Sequence, residues 1–465
     1  MSERNPRSSR RLMIRFHRLG RFGRQSTERV RIDHPTQEDF MKHLIVSVAA
    51  LLVLAPSAWA TDALQTAEPE QVGLSSERLA RIDRAMEGHV DDGHFSGAIG
   101  MVVRRGKIGY FKAWGDMDKE SGTRMSEDAI FRMYSMTKAV TGVAAMILYE
   151  HGHFALSDPI SNYLPEFKTM HVAVDKTNPV SDRRDSPTVP ADRQITVRDL
   201  FMHTAGLSYQ GPMAPDGERY FAKTGVSSAT TLEEMVKRIA KAPLVDQPGT
   251  TWRYGYSTDV LARYVEAVSG IPIDEFFSKQ IFEPLGMSDT GYYVPKSKWD
   301  RFTVLYSLNQ GKKTVRRSTA TAQDSYKQPT TKLGGGSGLV STTMDYARFC
   351  QMLANDGELD AVRILSRKSV ELMRADHMPL DMPRAGGAIS RGWGFGLTFA
   401  VNRGPGRTGM IGTKGEYRWG GAAGTRFWID PKEEMVTIFM VQILPYRGLS
   451  YGREFKRLAY QAIVD

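Results

Sequence analysis

The chain has 465 residues, 41% of them hydrophobic and 25% charged, with a formal net charge of +10. That length holds one large or two ordinary domains with sizeable cores, and the composition is that of an ordinary globular protein. Residues 1–60 alone contribute +6, so residues 61–465 carry only +4 with both signs interspersed; this excludes a phosphate-binding stripe and, with it, a nucleic-acid partner.

From Met41 the chain reads MKHLIVSVAALLVLAPSAWATDA. Lys42 and His43 precede an apolar run from Leu44 to Ala55, Pro56 breaks it, and Ala58-Trp59-Ala60 supplies a small-x-small cleavage pattern. This is the pattern of a secretory signal, too short for a comfortable membrane span. The expectation is a start at Met41, cleavage after Ala60, and a periplasmic or secreted protein with no stable membrane span. Residues 1–40 then form a non-native or disordered basic extension, the alternative being an Arg-rich tail that belongs to the protein.

The mature part opens with a helix pattern, Ser75 to Gly93, in which Ser75 is placed to cap. Two β-rich segments between Gly97 and Gly115 meet at Arg105-Gly106, a hairpin. The run AVTGVAAMILYEHG, Ala139 to Gly152, is apolar almost all round and reads as a buried helix. The Pro- and Asp-rich stretch from Val174 to Thr196 reads as an exposed loop, and Thr258 to Val268 as a helix. The only cysteine, Cys350, lies in a helix pattern, TMDYARFCQMLANDG, which suits a small buried apolar side chain and leaves no partner for an internal disulfide. Near the end, TRFWID and EMVTIFMVQIL flank the turn Asp430 to Glu433, and a last helix spans about Gly452 to Ile463. The simplest fold is an antiparallel sheet built from the N- and C-terminal segments and flanked by helices, an α/β (α+β) arrangement with a mostly helical lobe inserted. His151 and His153 have no clustered acid or cysteine, so no metal site is expected.

The stretch MYSMTKAV places Ser135 and Lys138 three apart at the mouth of that apolar helix. Side chains three apart are neighbours there, and burial together with the helix dipole disfavours an ammonium. A neutral lysine would take the proton of the serine hydroxyl, which is otherwise a weak nucleophile. Taken alone, the same four residues more often describe a serine cap with its lysine in water. No Gly-x-Ser-x-Gly occurs; GGGSGLV, Gly334 to Val340, comes close but has Leu339 where the last glycine belongs.

Ser135-Met136-Thr137-Lys138, then ITVRDLFMHTAGL, PGTTWRYGYSTDVLARYVEAVSG and WGGAAGTRFWIDP follow in one order. In that order the chain resembles β-lactamase-related serine hydrolases, and within them the family VIII carboxylesterases, from about Glu70 to its end. The resemblance implies a β-lactamase/transpeptidase-like fold, with an α/β lobe of about 61–131 and 335–465 and a helical lobe of about 132–334 forming one catalytic domain, 61–465. It implies Ser135 as the acylated nucleophile, Lys138 as its proton acceptor and Tyr254 as the proton relay. It places the oxyanion hole at the backbone N–H groups of Ser135 and Ala422, and substrate contacts at Tyr256, Trp419, Gly420 and Gly421. Without the resemblance, Tyr254 and Tyr256 read as core aromatics.

Two departures bear on substrate. Tyr256 stands where the family's second motif usually has Asn, and Trp419 replaces the Lys of Lys-Thr-Gly. An indole in place of an ammonium favours neutral esters over carboxylate-bearing amides, although Lys414 is a second source of charge. His203 in HTAGL is implied to be structural, near the site entrance. The chemistry needs neither metal nor cofactor, and its partner is a small-molecule ester. The alternatives are a class C-type β-lactamase or D,D-peptidase, and a non-catalytic penicillin- or cell-wall-binding module.

Overall fold

A computed structural model describes residues 64–174, 187–209, 224–309, 313–385, 388–446 and 448–465. The expected basic extension and signal segment lie outside the described residues. Helix α1 (Ser76–Asp91) starts where the sequence places it, with the Ser75 hydroxyl accepting from the Arg78 N–H. The hairpin follows as β1 (Gly97–Arg104) and β2 (Lys107–Asp118), joined by Arg105 and Gly106, both at positive φ (53° and 75°). Two such residues in a row match the right-handed twist of the strands they join.

These strands and the short β3 (Thr123–Arg124) join five from the far end of the chain: β4 (Trp393–Phe395), β5 (Ala400–Asn402), β6 (Tyr417–Gly420), β7 (Arg426–Asp430) and β8 (Met435–Val441). The eight lie in the order β4-β5-β6-β7-β8-β1-β2-β3, all neighbours antiparallel. Strands β1 and β8 are buried along their whole length, because helices cover both faces of the sheet. On one face Ala98, Val102, Trp428 and Phe439 pack with α1 and with the terminal helix α7 (Tyr451–Gln461). On the other, Ile99, Met101, Phe427 and Ile438 pack with α2 (Thr137–Glu150) and α6 (Thr343–Ala354), the helix that buries Cys350. Between β3 and β4 run α3 (Val197–Met202), α4 (Leu232–Ala240), α5 (Ser257–Ser269) and long connections.

One reading changes. The expected exposed loop from Val174 is entered and left through paired backbone, Thr188–Pro190 lying antiparallel to His171–Ala173. Residues 175–186 of that loop lie outside the described residues. Among the described residues no helix is long and apolar enough to cross a membrane.

The α7 side of the sheet buries an ion pair. Lys456 Nζ donates to both carboxylate oxygens of Glu416 at 2.7 Å, and both side chains are 0% exposed. The Tyr460 hydroxyl bridges Glu416 and Asp430. Removing one member strands the other charge in the interior. Lys456→Met should therefore cost about 3–5 kcal/mol, and adding Glu416→Gln should recover a large part of it. Denaturant unfolding of both variants checks this; a double variant no more stable than the single one refutes it.

Candidate active site

Ser135 sits on a turn rather than on regular helix. A single 3-10 turn, Tyr134–Met136, precedes α2, so only Lys138 falls in the helix proper. Tyr134 has φ +46°, a left-handed backbone at a non-glycine residue beside the serine, and such strain persists only where the surroundings hold it. Here the Met133 N–H donates to the Leu339 carbonyl at 2.8 Å, the Leu339 N–H to Thr137 Oγ1 at 3.2 Å, and the Tyr346 hydroxyl to the Met136 carbonyl at 2.9 Å. No side chain caps this helix start, so the Ser135 hydroxyl is not spent on the backbone.

Lys138 does not point to water: it is 1% exposed. Its Nζ donates to the Gly336 carbonyl at 2.6 Å and to the Tyr209 hydroxyl at 2.8 Å, and lies 3.5 Å from Ser135 Oγ. The helix-cap alternative fails on both residues. The Tyr254 ring centre is 4.8 Å from the same nitrogen. Tyr254 packs among His203, Tyr209, Trp252 and Trp419. Its hydroxyl makes no hydrogen bond to a described residue, and Tyr254 lines the cavity described below.

The carbonyl that receives Lys138 is held in turn by Asp259 of α5. This carboxylate is 3% exposed and accepts from the Gly336 N–H at 2.8 Å. Burial raises its pKa above the usual carboxylate range, while the Lys138 charge opposes that rise. A Cβ on Gly336 would come within 2.5 Å of Asp259 Oδ2, which is why glycine stands there. Burial, then Tyr254 and Asp259, push the Tyr209 phenol well above its ordinary value, so Tyr209 stays neutral beside Lys138.

The second half of the site comes from the end of β6. Strand β5 pairs only with Tyr417 and Arg418, so β6 has a free outer edge from Trp419 onward. The turn after it closes through Gly421 N–H to the Thr425 carbonyl at 2.7 Å. A Cβ on Gly421 would sit 2.4 Å from the Met133 carbonyl oxygen, so this turn abuts the one that carries Ser135. The Ala422 carbonyl accepts from the Tyr446 N–H, while the N–H groups of Ser135 and Ala422 make no hydrogen bond to a described residue. A cavity of about 1260 Å³ begins here, lined at this end by Tyr254, Gly421 and Ala422.

The other expected contacts stand further back. Tyr256 is 7% exposed with its ring 4.7 Å from that of Tyr209, which it backs. Trp419 is 6% exposed and packs on Tyr254 and Phe395, so its indole supports the wall that Tyr254 presents. Gly420 faces Arg426 across the sheet. Lys414 lies exposed on a turn. His203 is buried behind Tyr254, not at an entrance; burial and then the Lys138 charge hold its imidazole well below the ordinary value, so it is neutral. Among the described residues no group of three or more His, Cys, Asp or Glu could hold a metal.

Three participants escaped the sequence reading. Tyr209 is 71 residues from Lys138 and the Gly336 carbonyl is 198 away, so no local spacing links them. Asp259 lies at helical spacing from Arg263 and Glu266 on α5, so nothing local sets it apart from an ordinary solvated acid. Gly421→Val should displace the β6 turn from Met133 and slow fluorophosphonate labelling of Ser135 by about a hundredfold. Labelling at the parent rate refutes the close approach.

The sequence profile of the Beta-lactamase family matches residues 82–461. An uncharacterized protein of Mycobacterium tuberculosis (strain CDC 1551 / Oshkosh) is 34% identical over 361 residues, covering 76% of this chain and 88% of that protein. Esterase EstB of Burkholderia gladioli is 27% identical over 403 residues, covering 82% of this chain and 95% of the esterase. Among solved structures, EstCE1, described as a hydrolase with promiscuous acyltransferase activity, is 25% identical with a TM-score of 0.67, covering 84% of this chain and 99% of that one.

Proposed function

The chain belongs to the beta-lactamase family of serine hydrolases, and we propose that Ser135 is its nucleophile and a carboxylic ester its substrate. The observation that carries this reading is the position of Lys138 Nζ, buried against Ser135 Oγ, with the serine hydroxyl left free of any capping role. Ser135 Oγ attacks the ester carbonyl while its proton passes to the Lys138/Tyr254 pair. The N–H groups of Ser135 and Ala422, unpaired among the described residues, receive the developing oxyanion. The alcohol leaves with a proton relayed through Tyr254, whose hydroxyl has no competing partner among the described residues. Water, or a second alcohol, then resolves the acyl-enzyme.

Tyr209 and Asp259 act as positioning residues in this scheme. Tyr209 accepts from Lys138, and Asp259 fixes the Gly336 carbonyl that orients the same nitrogen. Ester over lactam is supported by Trp419, which removes an ammonium from the strand beside the nucleophile, and by the esterase relatives. Export is part of the same proposal: the segment from Met41 acts as a signal cleaved after Ala60, delivering the enzyme to the periplasm or the medium.

Ser135→Ala should lower kcat/KM for p-nitrophenyl butyrate by about 10³-fold or more, and Tyr254→Phe by about 10²-fold or more. Full activity in Ser135→Ala refutes the nucleophile, and Ser135-dependent turnover of nitrocefin exceeding that of the ester moves the substrate to β-lactams. N-terminal sequencing of the exported protein should begin at Thr61; retention of residues 41–60 refutes the cleavage.

A further inference from the structure

The cavity that starts at Tyr254 and Ala422 continues along β6 and β7 to a wall of arginines: Arg418 on β6, Arg426 on β7 and Arg453 on α7. Side chains alternate along a strand, so Trp419 and Phe427 face the α2 side while Arg418, Arg426 and Trp428 face α7. Glycines make the room. A Cβ on Gly420, the cross-strand partner of Arg426, would lie 2.8 Å from Arg426 Nη1, and one on Gly452 would lie 3.1 Å from Arg426 Cδ. The Arg418 guanidinium stacks 4.1 Å from the Trp393 ring centre, and its Nε is buried without a hydrogen-bond partner among the described residues.

None of the three guanidinium groups has a hydrogen bond or ion pair with a described residue. The acids nearby are already engaged: Glu416 by Lys456 and Tyr460, Asp430 by Tyr460 and Thr413, Glu454 by His89 and Arg457. Burial, then Arg426, pulls the Arg418 guanidinium down to about 10, and burial, with Arg453 adding to it, lowers Arg426. Three arginines thus face one cavity, opposing one another, with no anion of the described chain to answer them. A guanidinium fork is matched in geometry by a carboxylate or a phosphate.

We propose that Arg418, Arg426 and Arg453 form an oxyanion-binding arm of the substrate cleft, so that the preferred ester carries a carboxylate or phosphate remote from its scissile carbonyl. The ester in this statement rests on the esterase reading above; the anion site does not. Gly420 lies opposite Arg426 and two residues before Ala422, so at about 3.3 Å per residue and about 5 Å between strands the backbones of Arg426 and Ala422 lie within roughly 10 Å of each other, and both residues line the one cavity. The reacting end of the ester meets Tyr254 and the glycine-rich turn, and the far end meets the arginines.

Isothermal titration of Ser135→Ala with glutarate, and separately with inorganic phosphate, tests the site without chemistry. Binding is expected at low salt, weakened at least about tenfold by Arg426→Gln and measurably by Arg453→Gln. Arg453 is exposed on α7, so its replacement leaves the core intact. The tighter of the two anions identifies the source. Failure of both to bind, or binding that neither substitution weakens, overturns the site. In the intact enzyme, p-nitrophenyl hemiesters of glutaric and suberic acid are compared with p-nitrophenyl butyrate and octanoate. The anionic-to-neutral ratio of kcat/KM should exceed one and fall at least about tenfold in Arg426→Gln. A ratio unchanged by the substitution overturns the role in substrate choice. Anion binding that persists in a protein that hydrolyses no ester keeps the site and refutes the esterase reading.

Discussion

The burial of Lys138 is the constraint on which the site depends. A lysine nitrogen taken from water must be given acceptors inside the protein. One is the carbonyl of Gly336, one the hydroxyl of Tyr209, and the third is Ser135 Oγ at the limit of hydrogen-bond distance. Meeting that requirement draws the loop at 334–338, the segment after α3 and the start of α2 to a single point. Asp259 then fixes the loop from behind through the Gly336 N–H. The polar groups that make up the candidate site are therefore also what hold these three segments together.

The sheet supplies the other half by ending its pairing early. Strand β5 leaves β6 after Arg418, so Trp419 and Gly420 pair with β7 alone. An N–H without a sheet partner is costly in a core and useful in a cleft. Glycine at 421 lets that backbone lie against the Met133 carbonyl, closer than any side chain would permit. Ala422 itself stands in the turn between β6 and β7, held by the hydrogen bond from the Gly421 N–H to the Thr425 carbonyl and by the Tyr446 N–H on its own carbonyl.

Local pattern carried much of this. The hairpin at Arg105-Gly106, the cap at Ser75, the apolar helix after Lys138 and the last strand pair all rest on contacts between residues close in sequence, where periodicity and turn chemistry act directly. Strands of three residues such as Trp393–Phe395 and Ala400–Asn402 are too short to show a period, and they exist because β6 and its neighbours offer them a ladder. Ser135 and Lys138 were legible as a pair because three residues is one helical turn. Tyr209, Asp259 and Gly336 were not, since only tertiary folding brings them to the lysine. His203 is buried and not at an entrance for the same reason: its neighbours Trp252, Tyr254 and Phe395 arrive from other segments and wall it in.

Trp419 takes on a different meaning in the folded chain. Read along the sequence, it removes a positive charge from the third motif and suggests neutral substrates. In the sheet its indole turns inward onto Tyr254 and Phe395, backing the reacting end of the cleft with apolar surface. The residue before it, Arg418, turns to the opposite face by the ordinary alternation of a strand and meets the cavity there with Arg426 and Arg453. Positive charge has not left this strand; it stands one residue earlier and on the other face. The α2 face of this strand thus carries aromatic packing, and its α7 face a guanidinium group that shares a cavity with two others, none with a hydrogen bond or ion pair to a described residue.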